Sequence, residues 1–136
     1  MATEKLRLNL DSLVAGEDLS GDQYHFVVLN ASGQMELSGA GERAYGVTQD
    51  KPESGQTGVV AVSGSITKIT FGDTIQPGDL LVSDADGEAI VGIIVVGGAS
   101  TTVVARVGDW ILGQARVSGV DGDIGEMLYQ PENKVA

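Results

Sequence analysis

A chain of 136 residues is of single-domain length, long enough to withdraw roughly two-thirds of its unfolded surface from water. Nineteen acidic residues against eight basic ones give a formal net charge of −11, and the basic residues stand singly from Lys5 to Lys134, so the clustered cations that nucleic-acid phosphates need are lacking. Cysteine is absent, which excludes disulfides and thiolate metal sites, and the apolar run from Ala89 to Ala99 is broken by glycine and far short of the roughly 20 residues of a membrane-spanning helix.

Aromatic residues make up only 4% of the chain, so Val, Ile, Ala and Gly must supply the core. The first residues, MATEKLRLNLDS, carry charges with no long apolar stretch and do not read as a secretory signal. Leu6, Leu8 and Leu10 alternate with Lys5, Arg7 and Asn9. This period of two describes a half-buried strand, which either pairs inside its own sheet or acts as an arm that adds to another chain's edge. Sequence leaves both open.

From Asp18 onward the chain is a succession of short strands. Tyr24–Leu29 leads into the turn Asn30-Ala31-Ser32-Gly33 and a return strand from Gln34. Arg43–Gln49 and Gly58–Val62 flank a loop containing Pro52, which cannot sit in a central strand. Ile66–Phe71 is rich in β-branched residues, and a proline-glycine turn at Pro77-Gly78 precedes Leu80–Val82. Glu88–Val96 is nearly continuous Ile and Val, as expected of a strand covered on both faces in a core or a subunit interface, and Thr101–Val107 follows. One short helix is expected at most, over Ser12–Leu19. Strands about ten residues apart with glycine turns throughout predict an all-β barrel or sandwich.

The glycines carry a second pattern. Gly41, Gly46, Gly55 and Gly58 fall on Gly108, Gly113, Gly122 and Gly125 at one offset of 67 positions, with apolar or aromatic residues matched at Tyr45 and Leu112 and at Val60 and Met127. Side-chain identity is otherwise mostly lost. Glycine tolerates positive φ and close backbone approach, so the match predicts equivalent turns and two related β modules, with 41–62 repeated at 108–129.

Little catalytic chemistry is legible. The single histidine, His25, lies in an apolar strand with no recognisable nucleophile elbow beside it, and reads as structural. Gly39–Ala44 matches GxGxxA, but strand-like sequence follows where a dinucleotide loop needs a helix. Asp84–Glu88 and Asp121–Glu126 gather carboxylates without EF-hand spacing and read as Asp/Gly turns. No cofactor, metal or catalytic residue is expected. Trp110, the only tryptophan, is either an anchor of an aromatic-poor core or an oligomer-interface residue.

The ordered pieces AGEDLSGDQYHFVVLNASGQ, GERAYGVTQDKP, VAVSGSITKI, GDLLVSDADGEA, WILGQARVSG and DGDIGEMLY resemble the capsid cement, or decoration, proteins of tailed bacteriophages, from about Ala15 to Tyr129. The resemblance implies a small β-barrel or β-tulip-like domain at 15–130, between an extended N-terminal arm at 1–14 and a tail at 131–136. It implies a non-enzymatic virion protein on the outer surface of an icosahedral head, a homotrimer that bridges major capsid protein subunits and stabilises the shell. Thr3, Glu4, Lys5, Leu6, Arg7, Leu8, Asn9 and Leu10 would form the capsid-contacting arm. Neither nucleic acid nor membrane is expected as a partner. The alternative is a carbohydrate- or cell-surface-binding β domain displayed on a virion, against which the scarcity of aromatics counts.

Overall fold

The computed structural model describes residues 7–95, 103–105 and 108–132, and the side chains of 93–95 and 103–105 are not among those described. Among the described residues there are eleven strands: β1 (Leu10–Val14), β2 (Phe26–Leu29), β3 (Met35–Leu37), β4 (Gly46–Thr48), β5 (Thr57–Ala61), β6 (Ser65–Thr70), β7 (Leu80–Ser83), β8 (Ala89–Val95), β9 (Val103–Ala105), β10 (Gly113–Ala115) and β11 (Ile124–Tyr129). No helix occurs among the described residues, so the fold is all-β, and the helix expected over Ser12–Leu19 is replaced by the end of β1 and an irregular turn. Asp18 accounts for part of this: its Oδ1 accepts from the Ser20 amide at 3.0 Å, a local turn that competes with helix formation.

The strands form two antiparallel sheets, ordered β1-β5-β4-β2-β3 and β6-β11-β10-β7-β8-β9. The second order repeats the first and adds β9. Registers repeat too: Leu13 faces Gly58 as Ile69 faces Gly125, Val27 faces Gly46 as Leu81 faces Gly113, and Leu29 faces Met35 as Ser83 faces Ala89. Each sheet curls until its first strand touches the strand four places along, β1 meeting β3 and β6 meeting β8, through the parallel bridges Ala15↔Met35 and Phe71↔Ala89. The touch is a single bridge and not a ladder, so each sheet is open and not a closed barrel, and the expected all-β fold of two related β modules is what the chain forms. The strands that meet, β1 with β3 and β6 with β8, run parallel.

Two cores follow the same correspondence. Module one closes over Ala15, Leu19, Val27, Met35 and Val60, and module two over the equivalent Phe71, Ile75, Leu81, Ala89 and Met127. Module one also turns a second apolar surface, Phe26, Ala44 and Val47, onto module two, where all three join its core and are buried. Phe26 lies beside Tyr129 at a ring-centroid distance of 6.1 Å, and the Tyr129 hydroxyl donates to the Ala44 carbonyl at 2.6 Å. Burial raises the Tyr129 phenol pKa well above its usual value, so the hydroxyl stays a donor throughout the physiological range.

The N-terminal segment divides. Thr3, Glu4, Lys5 and Leu6 lie outside the described residues, whereas Arg7 and Asn9 are hydrogen-bonded to their own chain: Arg7 O accepts from Ile66 N at 2.7 Å and Asn9 O from Val62 N at 2.8 Å. Leu10–Val14 is β1, paired along its length with β5. Of the two readings left open for the arm, residues 10–14 pair within their own first sheet, with Leu13 packed against its core. In β8, the described residues Ala89 and Val91 are buried and Ile90 is half-buried, in keeping with a strand covered largely on both sides.

Candidate functional site

Three surfaces gather the residues singled out by sequence. The first is the N-terminal edge of sheet one. Alternation turns Leu8 and Leu10 outward, 41% and 55% exposed, while Asp11 turns to Tyr45, whose hydroxyl donates to its carboxylate at 2.7 Å. That bond lowers the Asp11 pKa and raises that of Tyr45. Two exposed leucines two residues apart, Leu8 just before β1 and Leu10 at its start, form a small apolar stripe on a strongly acidic molecule.

The second surface is a cleft of about 590 Å³ between the modules, lined by Asp22, His25 and Lys51 from module one and by Thr70, Asp86 and Glu88 from module two, among others. His25 is buried, its Nδ1 lies 2.9 Å from Gln23 O, and its Nε2 lies 3.9 Å from Asp22 Oδ1 and 3.7 Å from Glu88 Oε2. The histidine thus sits at the joint between modules. No nucleophile is oriented on it by a hydrogen bond among the described residues. Burial raises the pKa of Asp22 despite the opposing His25, and raises that of Glu88 with the neighbouring Asp84 charge adding to it.

A carboxyl whose pKa is raised by folding is more protonated in the native state, so its contribution to stability improves as pH falls from neutrality toward the unfolded-state value of about 4. Glu88→Gln is therefore expected to raise Tm slightly at pH 7, by an amount equivalent to about 1 kcal/mol or less because the group is partly solvated, and to leave Tm unchanged below about pH 4. Thermal melts at the two pH values check this. A fall in Tm at pH 7 would mean that the His25 pairing outweighs burial.

Next to the cleft, carboxylate oxygens of Asp84, Asp86 and Glu88 come within 4.8 Å of one another. Asp84 Oδ1 accepts from the amides of Asp86 and Glu88 at 2.8 and 2.9 Å, and in the equivalent turn of module one Asn30 Oδ1 accepts from Ser32 and Gln34 at 2.9 and 3.0 Å. The neutral Asn performs the same task, so the turn explains where Asp84 points.

The third surface surrounds Trp110. Its amide donates to Gly41 O at 3.0 Å, its ring is partly buried against the module-two core, and the Arg43 guanidinium carbon lies 5.4 Å from the ring centroid. Under the glycine register Arg43 and Trp110 are equivalent positions, so the repeat brings its two copies together here. Arg43→Ala is expected to lower stability by about 0.5–1 kcal/mol, read from urea unfolding, because the cation–π contact is partly exposed.

Sequence did not find the contacts that join the modules. The clearest signal was available in the repeat: Tyr24, with φ of 60°, occupies the position of Gly78, with φ of 93°. The left-handed conformation is uncommon for a tyrosine, and in it Tyr24 O accepts from the Thr70 amide of module two at 2.8 Å.

No protein-family model and no curated protein matches the chain. Among solved structures, the chain is similar to one described as the head fiber gp8.5 N base in bacteriophage phi29, with a TM-score of 0.62 and 14% identity, over 93% of this chain and 100% of that one. At that identity the likeness is one of fold, and it spans both modules.

Proposed function

We propose that this protein is a non-enzymatic structural component of a phage virion that binds the outside of the icosahedral head, as a capsid decoration or cement protein bridging neighbouring major capsid protein subunits, three copies acting together. The observation that carries this reading is the two-module likeness to the phi29 head fiber base over nearly the whole of both chains. The surface chemistry supports it. A charge of −11 disfavours contact with packaged nucleic acid, and the exposed Leu8 and Leu10, at the start of an edge strand, offer apolar area and main-chain groups to a capsid strand. Residues Thr3–Leu6 precede that edge and would extend the contact, whereas Arg7 and Asn9 also brace the fold.

Stabilisation would follow from mass action, because a ligand that binds only the assembled shell shifts its equilibrium against disassembly. Purified protein added to expanded heads that lack it is expected to bind and to raise their resistance to heat. Leu10→Glu is expected to weaken binding tenfold or more while leaving the isolated protein's Tm within a few degrees, since Leu10 is mostly exposed. Unchanged binding by that variant would remove the β1 edge from the contact, and no binding by the wild type would sink the head-binding reading itself.

A further inference from the structure

The joint between the two modules is one-sided. Thr70 N donates to Tyr24 O, Phe26 N to Gly87 O and Gly41 N to Ser83 O, at 2.8, 2.7 and 2.9 Å. A two-fold joint would reciprocate each bond at the equivalent residues, pairing Val14 N with Gly78 O, Leu80 N with Gly33 O and Gly108 N with Leu29 O. None of these reciprocal bonds occurs among the described residues. Module one therefore offers a leading face, built on Phe26, Ala44 and Val47, to a receiving face of module two, built on Thr70, Ser83, Gly87 and Tyr129. Contacts of this kind join unlike faces, and each chain is left with one unused face of each type.

Both unused faces retain apolar character. On module two the counterparts of Phe26 and Ala44 are Leu80 and Ile111, both half-buried, beside a hollow of about 260 Å³ lined by Leu80, Gly113, Gln114 and Leu128, with Gln130 and Glu132 at its polar side. On module one the counterparts of Ser83 and Thr70 are Leu29 and Val14, 43% and 37% exposed. The direction of these changes is informative. Where module two holds small polar residues under cover, module one holds larger apolar ones in solvent, the reverse of what solvation alone would select.

We infer that a second copy of this chain docks its module-one receiving face, around Leu29 and Val14, on the module-two leading face of the first, around Leu80, Ile111 and Gln114, repeating between copies the joint already present within each. This deepens the oligomer included in the proposed function by giving it a surface, and it rests on that reading only for its biological setting. The contact between copies is weaker than the one within a chain. Its counterparts of Phe26 and Tyr129 are the smaller Leu80 and Val62, and two chains of charge −11 repel each other, so association strengthens with added salt.

Sedimentation of the full chain in the absence of heads tests this. The wild type is expected to associate reversibly, more so at high salt, and Leu29→Glu or Gln114→Glu to weaken association tenfold or more, with far-UV circular dichroism and Tm retained because both positions are exposed. Each variant keeps one working face. An equimolar mixture of the two is expected to form a one-to-one dimer and stop, which neither does alone and which a contact between like faces cannot produce. Because the native chain has no cysteine, a Val14→Cys protein mixed with a Gly78→Cys protein should also cross-link on oxidation, since within one chain their counterparts Thr70 and Tyr24 are joined by a backbone hydrogen bond of 2.8 Å, and this readout tolerates little structural change. A wild type that stays monomeric at all salt concentrations, or a mixture that forms no dimer and no cross-link, overturns the inference. If such a monomer still binds heads, the head-binding reading stands without it.

Discussion

Phe26→Ala is expected to cost about 3–5 kcal/mol of stability and to loosen the two modules from each other. The ring is fully buried, lies beside Tyr129, and belongs to the module-two core although its strand belongs to sheet one. Removing it opens a cavity at the joint. It also removes the apolar cover over the bonds from Tyr129 to Ala44 O and from Phe26 N to Gly87 O, which then compete with water. Against a typical total of about 5–15 kcal/mol, such a loss leaves a marginal protein. Urea unfolding is the measurement, and the shape of the transition carries as much information as its midpoint. With the wild-type ring in place the modules share core residues and should unfold together. In the variant, module one, whose own core is the smaller cluster, is expected to unfold first and to broaden or split the transition. A loss of less than about 1 kcal/mol with a single sharp transition would fall well below the usual cost of deleting a buried ring, and would show that the joint contributes little.

The consequence reaches the capsid reading. A head-binding protein with two modules presents its partner with a surface whose geometry depends on the angle between them. Phe26 fixes that angle from a position that touches no proposed partner. Phe26→Ala should therefore weaken head binding as well, without any change at Leu8 or Leu10.

Much of this architecture was legible in the sequence, and the reason is local. Turns at Asn30–Gly33 and Asp84–Gly87 were readable because Asn, Asp and Gly have direct backbone consequences, and the structure shows Asn30 and Asp84 making the same pair of amide bonds. Strand positions were readable to within a few residues because alternation and β-branching report burial on a sheet. The repeat was readable chiefly through glycine, since these glycines sit where a side chain would be strained or would collide. Gly41 and Gly108 share positive φ, as do Gly55 and Gly122, whereas Gly46 and Gly113 lie against the carbonyls of the equivalent residues Ala61 and Leu128. Matched turns were thus half of the explanation, and matched close approaches the other half.

What stayed hidden depends on partners distant in sequence. Phe26, Val27 and Val28 read as one apolar run, and nothing in that run says that Val27 faces its own module while Phe26 faces the other. His25 was read as structural, but its two carboxylate neighbours include Glu88, which only folding brings close. Leu29 and Val14 look like ordinary strand residues until the repeat is laid over the structure and their counterparts are found covered. The open barrel edge was hidden for the same reason: whether β1 and β3 zip or merely touch depends on curvature, which side-chain pattern does not encode.

Gly113 offers the sharpest test of the close-approach half. A Cβ built there would lie 2.0 Å from the Leu128 carbonyl oxygen, and its φ of 150° is one that side-chain-bearing residues rarely adopt. The obstruction is backbone in the centre of sheet two, between β11 and β7, so it cannot rotate aside. Overpacking and backbone strain each cost about 1–3 kcal/mol, and Gly113→Ala is expected to lose about 3 kcal/mol or more. Gly122→Ala separates the two causes: its φ of 92° is strained, but nothing lies within 4 Å of the added carbon. It should lose only about 1–2 kcal/mol, the cost of a left-handed conformation alone. Gly46→Ala, at the equivalent position in module one, would lie 2.6 Å from Ala61 O without the positive φ, and should fall between them. Equilibrium unfolding in urea would rank the three. If Gly122→Ala proved as damaging as Gly113→Ala, strain rather than the carbonyl contact would explain the glycine at both sites, and the repeat would again be one of turns alone.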